Sequence, residues 1–301
     1  MNLLRLLPTN DTFDVADKVV VITGAGRGIG AELAQILHRR RAWVVMLDVD
    51  EAKVRTVASR LGSRAVALRA DVADRDSMVA AMATVRDRFG RIDLVIANAG
   101  ITPMPATLRT MDPADFDRVI GVNLTGVFNT VRPALDDIVA TRGHVVVVSS
   151  CAAFAPGMGG SPYMISKAGV EQLGRALRVE LAASGATAGV AYFGIVDTAM
   201  THDTLDDDEF GRAADAMLPW PLNQRISAAQ AASAVADGIA HRAPRTIAPR
   251  VWEPYSLLRG AINVLMDQYL STDEQLRVLL RKLEQRPRSE SSLEQRESSG
   301  A

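Results

Sequence analysis

A glycine-rich turn between a β-branched strand and an apolar helix is the feature that most constrains the fold of this chain. Residues 18–23, KVVVIT, are typical of a buried strand, and GAGRGIG then leads into a helical apolar pattern over residues 29–40. Gly24, Gly28 and Gly30 have no Cβ atoms, so backbone N–H groups can approach a pyrophosphate at the helix N-terminus. The spacing is GxxxGxG rather than GxGxxG, but strand, turn and helix follow in the order that a dinucleotide-binding loop requires.

A carboxylate ends the next predicted strand. Residues 43–47 are apolar, and Asp48 follows them, eighteen residues beyond Gly30. A carboxylate there accepts hydrogen bonds from an adenosine ribose and repels a 2′-phosphate, which favours NAD over NADP. Arg27, inside the glycine turn, has the opposite effect because a guanidinium pairs with a 2′-phosphate. We expect NAD to be the preferred cofactor, with NADP as the alternative.

Strand-like apolar runs continue to alternate with helical patterns along the chain. Helices are predicted at 51–61, 74–89, 112–139 and 227–241, with Asp74 and Ser227 as N-caps, and strands at 65–69, 92–97, 144–148 and 245–248. This βαβ rhythm predicts an α/β fold, a Rossmann-type doubly wound parallel sheet in a single domain. Ligands of such a sheet bind at the carboxyl ends of its strands.

A polar cluster follows the predicted strand at 144–148. Tyr163 and Lys167 are four residues apart, so a helix places them on one face, one turn apart. The ammonium favours the phenolate form of the Tyr, and such a Tyr can exchange a proton with a substrate oxygen near neutral pH. The same spacing also arises in ordinary half-exposed helix pairs. The serines at Ser149 and Ser150, together with the glycine turn, favour the catalytic interpretation.

Together these motifs resemble the short-chain dehydrogenase/reductase family. The likeness covers roughly residues 15–250, and its motifs are TGxxxGxG at 23–30, Asp71 with Val72, NAG at 98–100, a helix Asn at Asn123, Ser150, and YxxxK at Tyr163 and Lys167. The resemblance implies an oxidoreductase that transfers a hydride between NAD(P) and a secondary alcohol or ketone. A lipophilic substrate is expected.

The resemblance also implies roles for four catalytic residues. Tyr163 would be the general acid/base, and Ser150, thirteen residues before it, would hydrogen-bond the substrate oxygen. Lys167 would hold the nicotinamide ribose and lower the pKa of Tyr163. Asn123 would help to order a water that relays protons from Lys167 to solvent.

In the same way, the resemblance implies a set of cofactor contacts. Asp71 would lie at the adenine, residues 98–100 would line the cofactor and brace the sheet, and the backbone near Val196 would bond the nicotinamide amide. The full set is Gly24, Arg27, Gly28, Ile29, Gly30, Asp48, Asp71, Val72, Asn98, Ala99, Gly100, Tyr163, Lys167, Gly194, Val196 and Thr198.

Two positions depart from the family pattern. Ala97 stands where the family often has the first Asn of NNAG, and Phe193 stands where a Pro is expected before Gly194. Loss of the Pro is expected to loosen the turn after the sixth strand and to weaken cofactor binding.

Residues 199–225 have a mixed, loop-like sequence, and the family resemblance implies that residues 197–226 form a substrate lid. Their apolar side chains would make a wall against the substrate or would pack the lid onto the body of the protein: Met200, Phe210, Met217, Leu218 and Trp220. The acidic run at 206–209 is more typical of a solvated face or a helix start than of a metal site, so we expect no metal.

Composition and charge limit the partners and the location. The formal net charge of −1 over 301 residues gives no electrostatic footprint for nucleic acid. The single cysteine, Cys151, fits a reducing compartment and is expected to be a small buried side chain. No apolar run is long enough for a transmembrane helix, and the first ten residues are too short and too early interrupted by Pro8 for a signal peptide. We expect a cytoplasmic protein, and the family resemblance implies a homodimer or homotetramer.

The domain prediction is an arm at 1–14, a catalytic domain at 15–250, a helical extension at 251–286 and a disordered polar tail at 287–301. Apolar spacing in the extension predicts two amphipathic helices that are broken near residues 271–273. These helices would cover the substrate mouth, contact another subunit, rest on a membrane or pack on their own domain. Two alternative functions stay open: a non-catalytic dinucleotide-sensing or scaffold protein, and a membrane-peripheral sterol or lipid dehydrogenase.

Overall fold

A parallel sheet forms the centre of the computed structural model, which describes residues 12–286. The strands of the chain are β1 Val19–Thr23, β2 Trp43–Asp48, β3 Ala65–Arg69, β4 Leu94–Ala97, β5 His144–Val148, β6 Thr187–Phe193, β7 Ile195–Asp197, β8 Arg225–Ser227 and β9 Arg245–Ala248. Seven of them form the main sheet within the described residues, in the order β3-β2-β1-β4-β5-β6-β9, and β7 pairs with β8. This architecture confirms the predicted Rossmann-type fold.

Helices connect the strands and cover both faces of the sheet. They are α1 Gly28–Arg39, α2 Glu51–Leu61, α3 Arg75–Phe89, α4 Pro113–Ile120, α5 Gly126–Val131, α6 Leu135–Ala140, α7 Ser161–Leu181, α8 Ala199–Thr201, α9 Glu209–Ala216, α10 Ala228–Ala240, α11 Glu253–Thr272 and α12 Glu274–Glu284. Successive side chains of a strand point to opposite faces. Thus Val21 packs in a core with Met78 of α3 and Val170 of α7, whereas Val20 packs in a second core with Leu33 of α1.

Side-chain caps begin two helices at the predicted residues. The Asp74 carboxylate accepts hydrogen bonds from the N–H groups of Asp76 and Ser77 at the start of α3. The Ser227 hydroxyl accepts from the N–H of Gln230, whose side chain accepts from the N–H of Ser227 in return. Both capping predictions are confirmed.

The helix predicted at 112–139 is interrupted twice. A π-helical turn, Gly121–Thr125, separates α4 from α5, and a 3-10 turn, Arg132–Ala134, separates α5 from α6. Pro133 has no N–H and cannot continue α-helical hydrogen bonding, which accounts for the second break. The π-helical turn contains Asn123, which is fully buried. Single π turns of this kind often occur at functional sites.

The prediction of a loop over residues 199–225 is wrong for most of that range. α8, a π-helical turn at His202–Asp206 and α9 occupy its first part. The Thr198 hydroxyl caps α8 through the N–H of Thr201, and the Asp208 carboxylate caps α9 through the N–H of Gly211. One acid of the run at 206–209 therefore starts a helix, as the sequence indicated.

The extension forms α11 and α12, which one residue separates, as predicted. The Tyr255 hydroxyl and the Asn263 amide both donate to the carbonyl oxygen of Phe154, at 3.3 and 2.9 Å. Arg259 forms an ion pair with Glu171 of α7. The inner face of α11 thus packs on its own domain. Over residues 12–286, no helix is both long and apolar enough to cross a membrane.

The two chain ends fall largely outside the described residues. The predicted disordered tail at 287–301 lies wholly outside them, and so does the part of the predicted arm before residue 12. Within the described part, Phe13 and Val15 are buried, and the N–H of Phe13 donates to the carbonyl of Ala240 at 2.8 Å.

Candidate active site

A cavity of about 390 Å³ lies at the carboxyl ends of the central strands. Most residues that the sequence predicts for the site border it: Gly24, Arg27, Gly28, Ile29, Asp48, Asp71, Val72, Asn98, Ala99, Gly100, Ser150, Tyr163, Lys167, Gly194, Val196 and Thr198. Gly30 and Asn123 do not border it and are buried. The common direction of the strands explains this convergence, because every strand delivers its following residues to the same edge of the sheet.

The glycine turn is held by close backbone packing. Gly24 has a φ of +64°, a conformation that favours glycine, and a Cβ at Gly30 would lie only 2.3 Å from the carbonyl oxygen of Gly24. The Asn98 amide donates to the carbonyl oxygens of Thr23 and Gly24 at 3.0 and 3.2 Å. Asn98 therefore braces the turn against the end of β4.

The N-terminus of α1 lacks the side-chain cap that begins most of the other longer helices. Its N-cap residue is Arg27, which provides no side-chain acceptor, and its first turn holds no acidic residue. The first N–H groups of a helix have no partners within the helix, and with the helix dipole they favour an anion. The residues of this turn therefore suit a phosphate group at the cavity.

Asp48 has a fixed position at the edge of the cavity. Its Oδ2 accepts from the N–H of Gly26 at 2.8 Å, and its Oδ1 accepts from the N–H of Asp50 at 3.0 Å. A Cβ at residue 26 would lie 2.9 Å from Oδ2 of Asp48, so only glycine leaves room for this contact. The exposed Arg27 borders the same cavity. Both side chains that bear on the choice between NAD and NADP, the Asp48 carboxylate and the Arg27 guanidinium, therefore lie at this cavity.

Ser150, Tyr163 and Lys167 converge at the other end of the cavity. Ser150 follows β5, and its hydroxyl donates to the carbonyl oxygen of Phe193 at 3.2 Å. Lys167 Nζ lies 5.6 Å from the centre of the Tyr163 ring and donates to the carbonyl oxygen of Val148 at 3.0 Å. β5 and α7 thus bring together the three residues that the sequence selects.

The protonation of this cluster differs from the sequence prediction. Burial raises the pKa of Tyr163, and a hydrogen bond with Ser150 opposes that rise only in part. Burial also lowers the pKa of Lys167 to about 8. The net shift of the Tyr163 pKa in this structure is therefore upward, opposite to the lowering expected from Lys167, because burial is its largest cause. Tyr163 carries its proton at neutral pH.

Asn123 links the loop after β4 to α7. Its Oδ1 accepts from the N–H of Ile101 at 2.8 Å, and its Nδ2 donates to the carbonyl of Ile101 at 2.9 Å and to the Ser166 hydroxyl at 3.1 Å. A Cβ at Gly100 would lie 3.3 Å from Lys167 Nζ and 3.4 Å from Asn123 Oδ1, so both polar groups flank this glycine. The predicted water relay through Asn123 stays a prediction.

The turn at Phe193 is held firmly, contrary to the expectation that losing a Pro would loosen it. Phe193 is buried at the end of β6, and the N–H of Gly194 donates to the carbonyl of Ala248 at 2.9 Å. A Cβ at Gly194 would lie 2.5 Å from Nε1 of Trp252, so the indole ring closes the turn from outside. The sequence could not show this contact, because Trp252 lies in the segment beyond the predicted core.

Some cavity residues were not singled out from the sequence. Ile101 and Val122 border the cavity, as do Val49 and Thr201. Ile101 directly follows the NAG motif and Val122 directly precedes Asn123, so adjacency to a motif was the available signal. Of the apolar lid residues that the sequence named, Met200 borders the cavity, whereas Phe210 is buried and lies beside Gly159 of the turn before α7.

The remaining predicted features are also placed by the structure. Cys151 is buried, and burial raises the pKa of its thiol, as expected for a small interior side chain. Asp206, in the acidic run, forms an ion pair with Arg225, and its Oδ2 lies 2.6 Å from Nδ1 of His202. The residues from 12 to 286 contain no group of three or more His, Cys, Asp or Glu side chains that could hold a metal ion.

The family model described as short chain dehydrogenase matches residues 18–209. The chain belongs to the short-chain dehydrogenase family. The chain is 36% identical over 228 residues to the cis-4-hydroxycyclohexanecarboxylate dehydrogenase of Sinomonas cyclohexanicum, with 75% of this chain and 88% of the relative covered. The family assignment agrees with the Rossmann-type fold of the chain.

Two further matches differ in the share of the matched protein that this chain covers. "Probable oxidoreductase EphD" of Mycobacterium tuberculosis is 34% identical over 277 residues, which cover 87% of this chain but 45% of that protein. The chain thus spans less than half the length of EphD. The crystal structure of 3-ketoacyl-(acyl-carrier-protein) reductase from Brucella melitensis complexed with NADH is 25% identical, with a TM-score of 0.68 and coverage of 78% of this chain and 97% of that one.

Proposed function

We propose that this protein interconverts a secondary alcohol and a ketone with a nicotinamide dinucleotide as the hydride partner. The observation that carries the proposal is the convergence of Ser150, Tyr163 and Lys167 at one end of the cavity whose other end is bordered by the glycine turn and Asp48. A protein that only binds a dinucleotide has no need for the first three residues. The family membership supports the same reaction class.

The residues around the cavity fit a dinucleotide. The uncapped N-terminus of α1 would hold the pyrophosphate, Asp48 the adenosine ribose, and Asp71 and Val72 the adenine. Residues 98–100 and 194–198 would line the nicotinamide half. When bound, the dinucleotide supplies the hydride acceptor or donor. The two fixed oxygens of Asp48 support NAD as the preferred form, and Arg27 makes NADP the alternative.

The protein's own part in the reaction is to orient the substrate oxygen and to handle its proton. Ser150 Oγ would hydrogen-bond the oxygen. Tyr163, whose pKa is raised by burial, holds a proton at neutral pH and is ready to donate it to a ketone. In the opposite direction Tyr163 must first lose that proton, and an ammonium at Lys167 makes this easier. Lys167 would also bind the nicotinamide ribose.

The substrate body is proposed to be apolar. Ile101, Phe193 and Met200 border the cavity near Ser150 and Tyr163 and offer it no charge. The names of the relatives include both a free hydroxy acid and an acyl group carried by a protein. Free molecules and carrier-bound molecules are therefore both candidates for the substrate.

The decisive test replaces Tyr163 by Phe. Tyr163→Phe should keep the fold and NADH binding but lose about 10²- to 10⁴-fold in turnover, because only the proton-transferring hydroxyl is removed. Turnover is followed at 340 nm across a panel of secondary alcohols and ketones, and NADH binding by nicotinamide fluorescence. Turnover in the variant that matches the unmodified protein would contradict the mechanism. NADH binding without turnover by the unmodified protein across the panel would favour the non-catalytic alternative.

A further inference from the structure

The last helix, α12, contacts three segments that converge on the candidate active site. The first is the loop after β4, where Ile101 borders the cavity. The second is the turn at 155–160, which precedes α7 and Tyr163. The third is the lid, which begins beside the cavity at Thr198. Each segment has one end at the cavity and a more distant part at α12. We call residues 283–286, which make these contacts, the C-terminal clasp.

Charged contacts join the clasp to the loop after β4. Glu284 accepts from the Thr107 hydroxyl at 2.9 Å and forms an ion pair with Arg109. The guanidinium of Arg109 and the hydroxyl of Thr107 lower the pKa of Glu284, so this carboxylate stays charged at neutral pH. Protonation of Glu284 therefore does not break this contact at neutral pH.

A second charged contact joins the clasp to the lid. Arg286 donates to Oδ2 of Asp208 at 2.7 Å, and Oδ1 of the same carboxylate accepts from the N–H of Gly211 at 2.9 Å. Asp208 is the N-cap of α9, so the ion pair holds the beginning of the lid helix. Movement of the lid away from the body has to break this pair.

An apolar contact joins all three segments at Gly159. Its φ is +69°, and a Cβ there would lie 2.6 Å from Cε1 of Phe210 in the lid and 3.2 Å from Cδ2 of Leu283. The carbonyl of Gly159 accepts from the N–H of Ala106 at 2.9 Å, which ties the turn to the loop after β4. Phe210 and Leu283 are both 4% exposed. The joint is therefore closed to solvent.

The clasp has a fixed position because α11 is anchored to the catalytic elements. Arg259 binds Glu171, one turn beyond Lys167 on α7, and Asn263 binds the carbonyl of Phe154 in the turn after Ser150. The Asp273 carboxylate then caps α12 through the N–H of Leu276 at 2.8 Å. The family model ends at residue 209, so the clasp is a feature of this chain beyond the matched core.

We propose that the C-terminal clasp is a wall of the substrate entrance and that it selects free alcohols or ketones over molecules attached to coenzyme A or a carrier protein. A carrier-bound substrate needs an open path from the reacting carbon to the carrier outside. In this proposal the clasp closes that path by holding together three segments that each begin beside the cavity. This inference rests on the proposed function, and its test separates the two.

The first experiment measures amide hydrogen exchange of the full chain with and without an intact clasp. In the double variant Glu284→Gln/Arg286→Gln, peptides from the loop at 104–110 and the lid at 199–216 should exchange about three- to tenfold faster, because two partly exposed ion pairs are lost. Strands β1 and β5 should be unchanged. The matched control is Glu274→Gln/Arg281→Gln, which removes an ion pair within α12 itself and should leave both peptides unchanged. Unchanged exchange in the clasp variant would overturn the proposal.

The second experiment compares two ketones with the same reacting group, ethyl acetoacetate and acetoacetyl-CoA. The unmodified protein should reduce the free ester at least about tenfold more efficiently, by kcat/KM, and the clasp variant and Leu283→Ala should narrow that ratio while NADH binding is unchanged. Equal efficiency in the unmodified protein would overturn the substrate selection. Reduction of neither ketone despite NADH binding would count against the proposed function, and hydrogen exchange would then decide whether the clasp holds the entrance.

Discussion

Polar side chains at the two ends of the central sheet differ in what surrounds them. At the amino end they bind one another: Arg242 donates to the Thr187 hydroxyl at 2.9 Å, and that hydroxyl lies 2.8 Å from Nδ1 of His144. Asp93, also buried there, pairs with Lys18. At the carboxyl end Tyr163, Asp48 and the uncapped N-terminus of α1 face a cavity.

This difference separates groups that stabilise the fold from groups that are available for chemistry. Buried polar groups are normally satisfied within the protein, because an unpaired one costs about 1–3 kcal/mol. Lys167 illustrates the carboxyl end, since burial lowers its pKa to about 8 and its ammonium is bound by one backbone carbonyl. Groups kept under such a cost are candidates for function. Substitutions at the carboxyl end should therefore change activity more than stability, and those at the amino end should do the reverse.

The largest expected effect is that of Lys167→Met. Turnover should fall by at least about 100-fold, because the group that assists Tyr163 is removed. Stability should rise by up to about 3 kcal/mol at pH 7, since a pKa lowered from 10.5 to about 8 makes the buried ammonium costly. This cost is fully present below pH 8 and disappears as the pH rises toward 10.5. The gain from the variant should therefore shrink over that interval.

Urea unfolding at pH 7 and pH 9.5 measures this change in stability. The exposed Lys282→Met is the matched control and should alter neither stability nor turnover by a measurable amount. A variant at Lys167 that is less stable than the unmodified protein at pH 7 would contradict the comparison, because the ammonium would then stabilise the fold.

The sheet and the position of the site could be predicted from the sequence for a physical reason. Strands that are buried on both faces appear as continuous apolar runs, and HVVVV before Ser149 is such a run. The glycine turn marks the first crossover, and parallel strands then place every following polar residue at one edge. Local patterns were therefore enough to predict that Ser150, Tyr163 and Lys167 lie close together at one edge of the sheet.

The remaining features depend on contacts between distant segments. The short helices of the lid are held by caps and by the contact of Phe210 with Gly159, which no local pattern reveals. The direction of the Tyr163 pKa needs the extent of its burial, whereas the sequence shows only the neighbouring charge of Lys167. The firm turn at Phe193 likewise depends on Trp252, beyond the predicted core.

The next largest expected effect is a loss of stability at acid pH that arises at the amino end of the sheet. Burial, and next the charge of Arg242, lower the pKa of His144 to about 3. A group with a lowered pKa in the folded state favours folding above its unfolded pKa of 6.5, and stability is lost as the pH falls toward 3. The unfolding free energy should drop by about 2 kcal/mol between pH 6.5 and pH 5 through this residue. His144→Gln should remove that part of the loss and leave NADH binding unchanged.

Thermal or urea unfolding between pH 7 and pH 5 tests this expectation. The exposed His241→Gln serves as the control, and it should follow the acid dependence of the unmodified protein. An unchanged acid dependence in His144→Gln would mean that His144 takes up its proton without cost. The amino end would then not be the closed region that the burial of His144 indicates.

The smallest expected effect is a change in the preference between NADH and NADPH. It tests whether the Asp48 carboxylate acts on the cofactor or only stabilises the fold. Asp48→Asn should raise the affinity for NADPH relative to NADH by about tenfold, or about 1.4 kcal/mol, because the charge that repels a 2′-phosphate is lost. The variant keeps one oxygen to accept from the N–H of Gly26, so the turn should persist. Titration of nicotinamide fluorescence with both cofactors gives the ratio.

Arg27→Gln is the complementary variant, because it removes the charge that favours a 2′-phosphate. It should lower NADPH affinity and leave NADH affinity nearly unchanged. Equal ratios in Asp48→Asn and the unmodified protein would mean that the carboxylate serves only to hold the N–H groups of Gly26 and Asp50. Asp48 would then resemble Asp93 at the amino end, a buried carboxylate that accepts a hydrogen bond from a backbone N–H, that of Val19. A shift in the ratio without loss of stability would instead assign it to the functional end of the sheet.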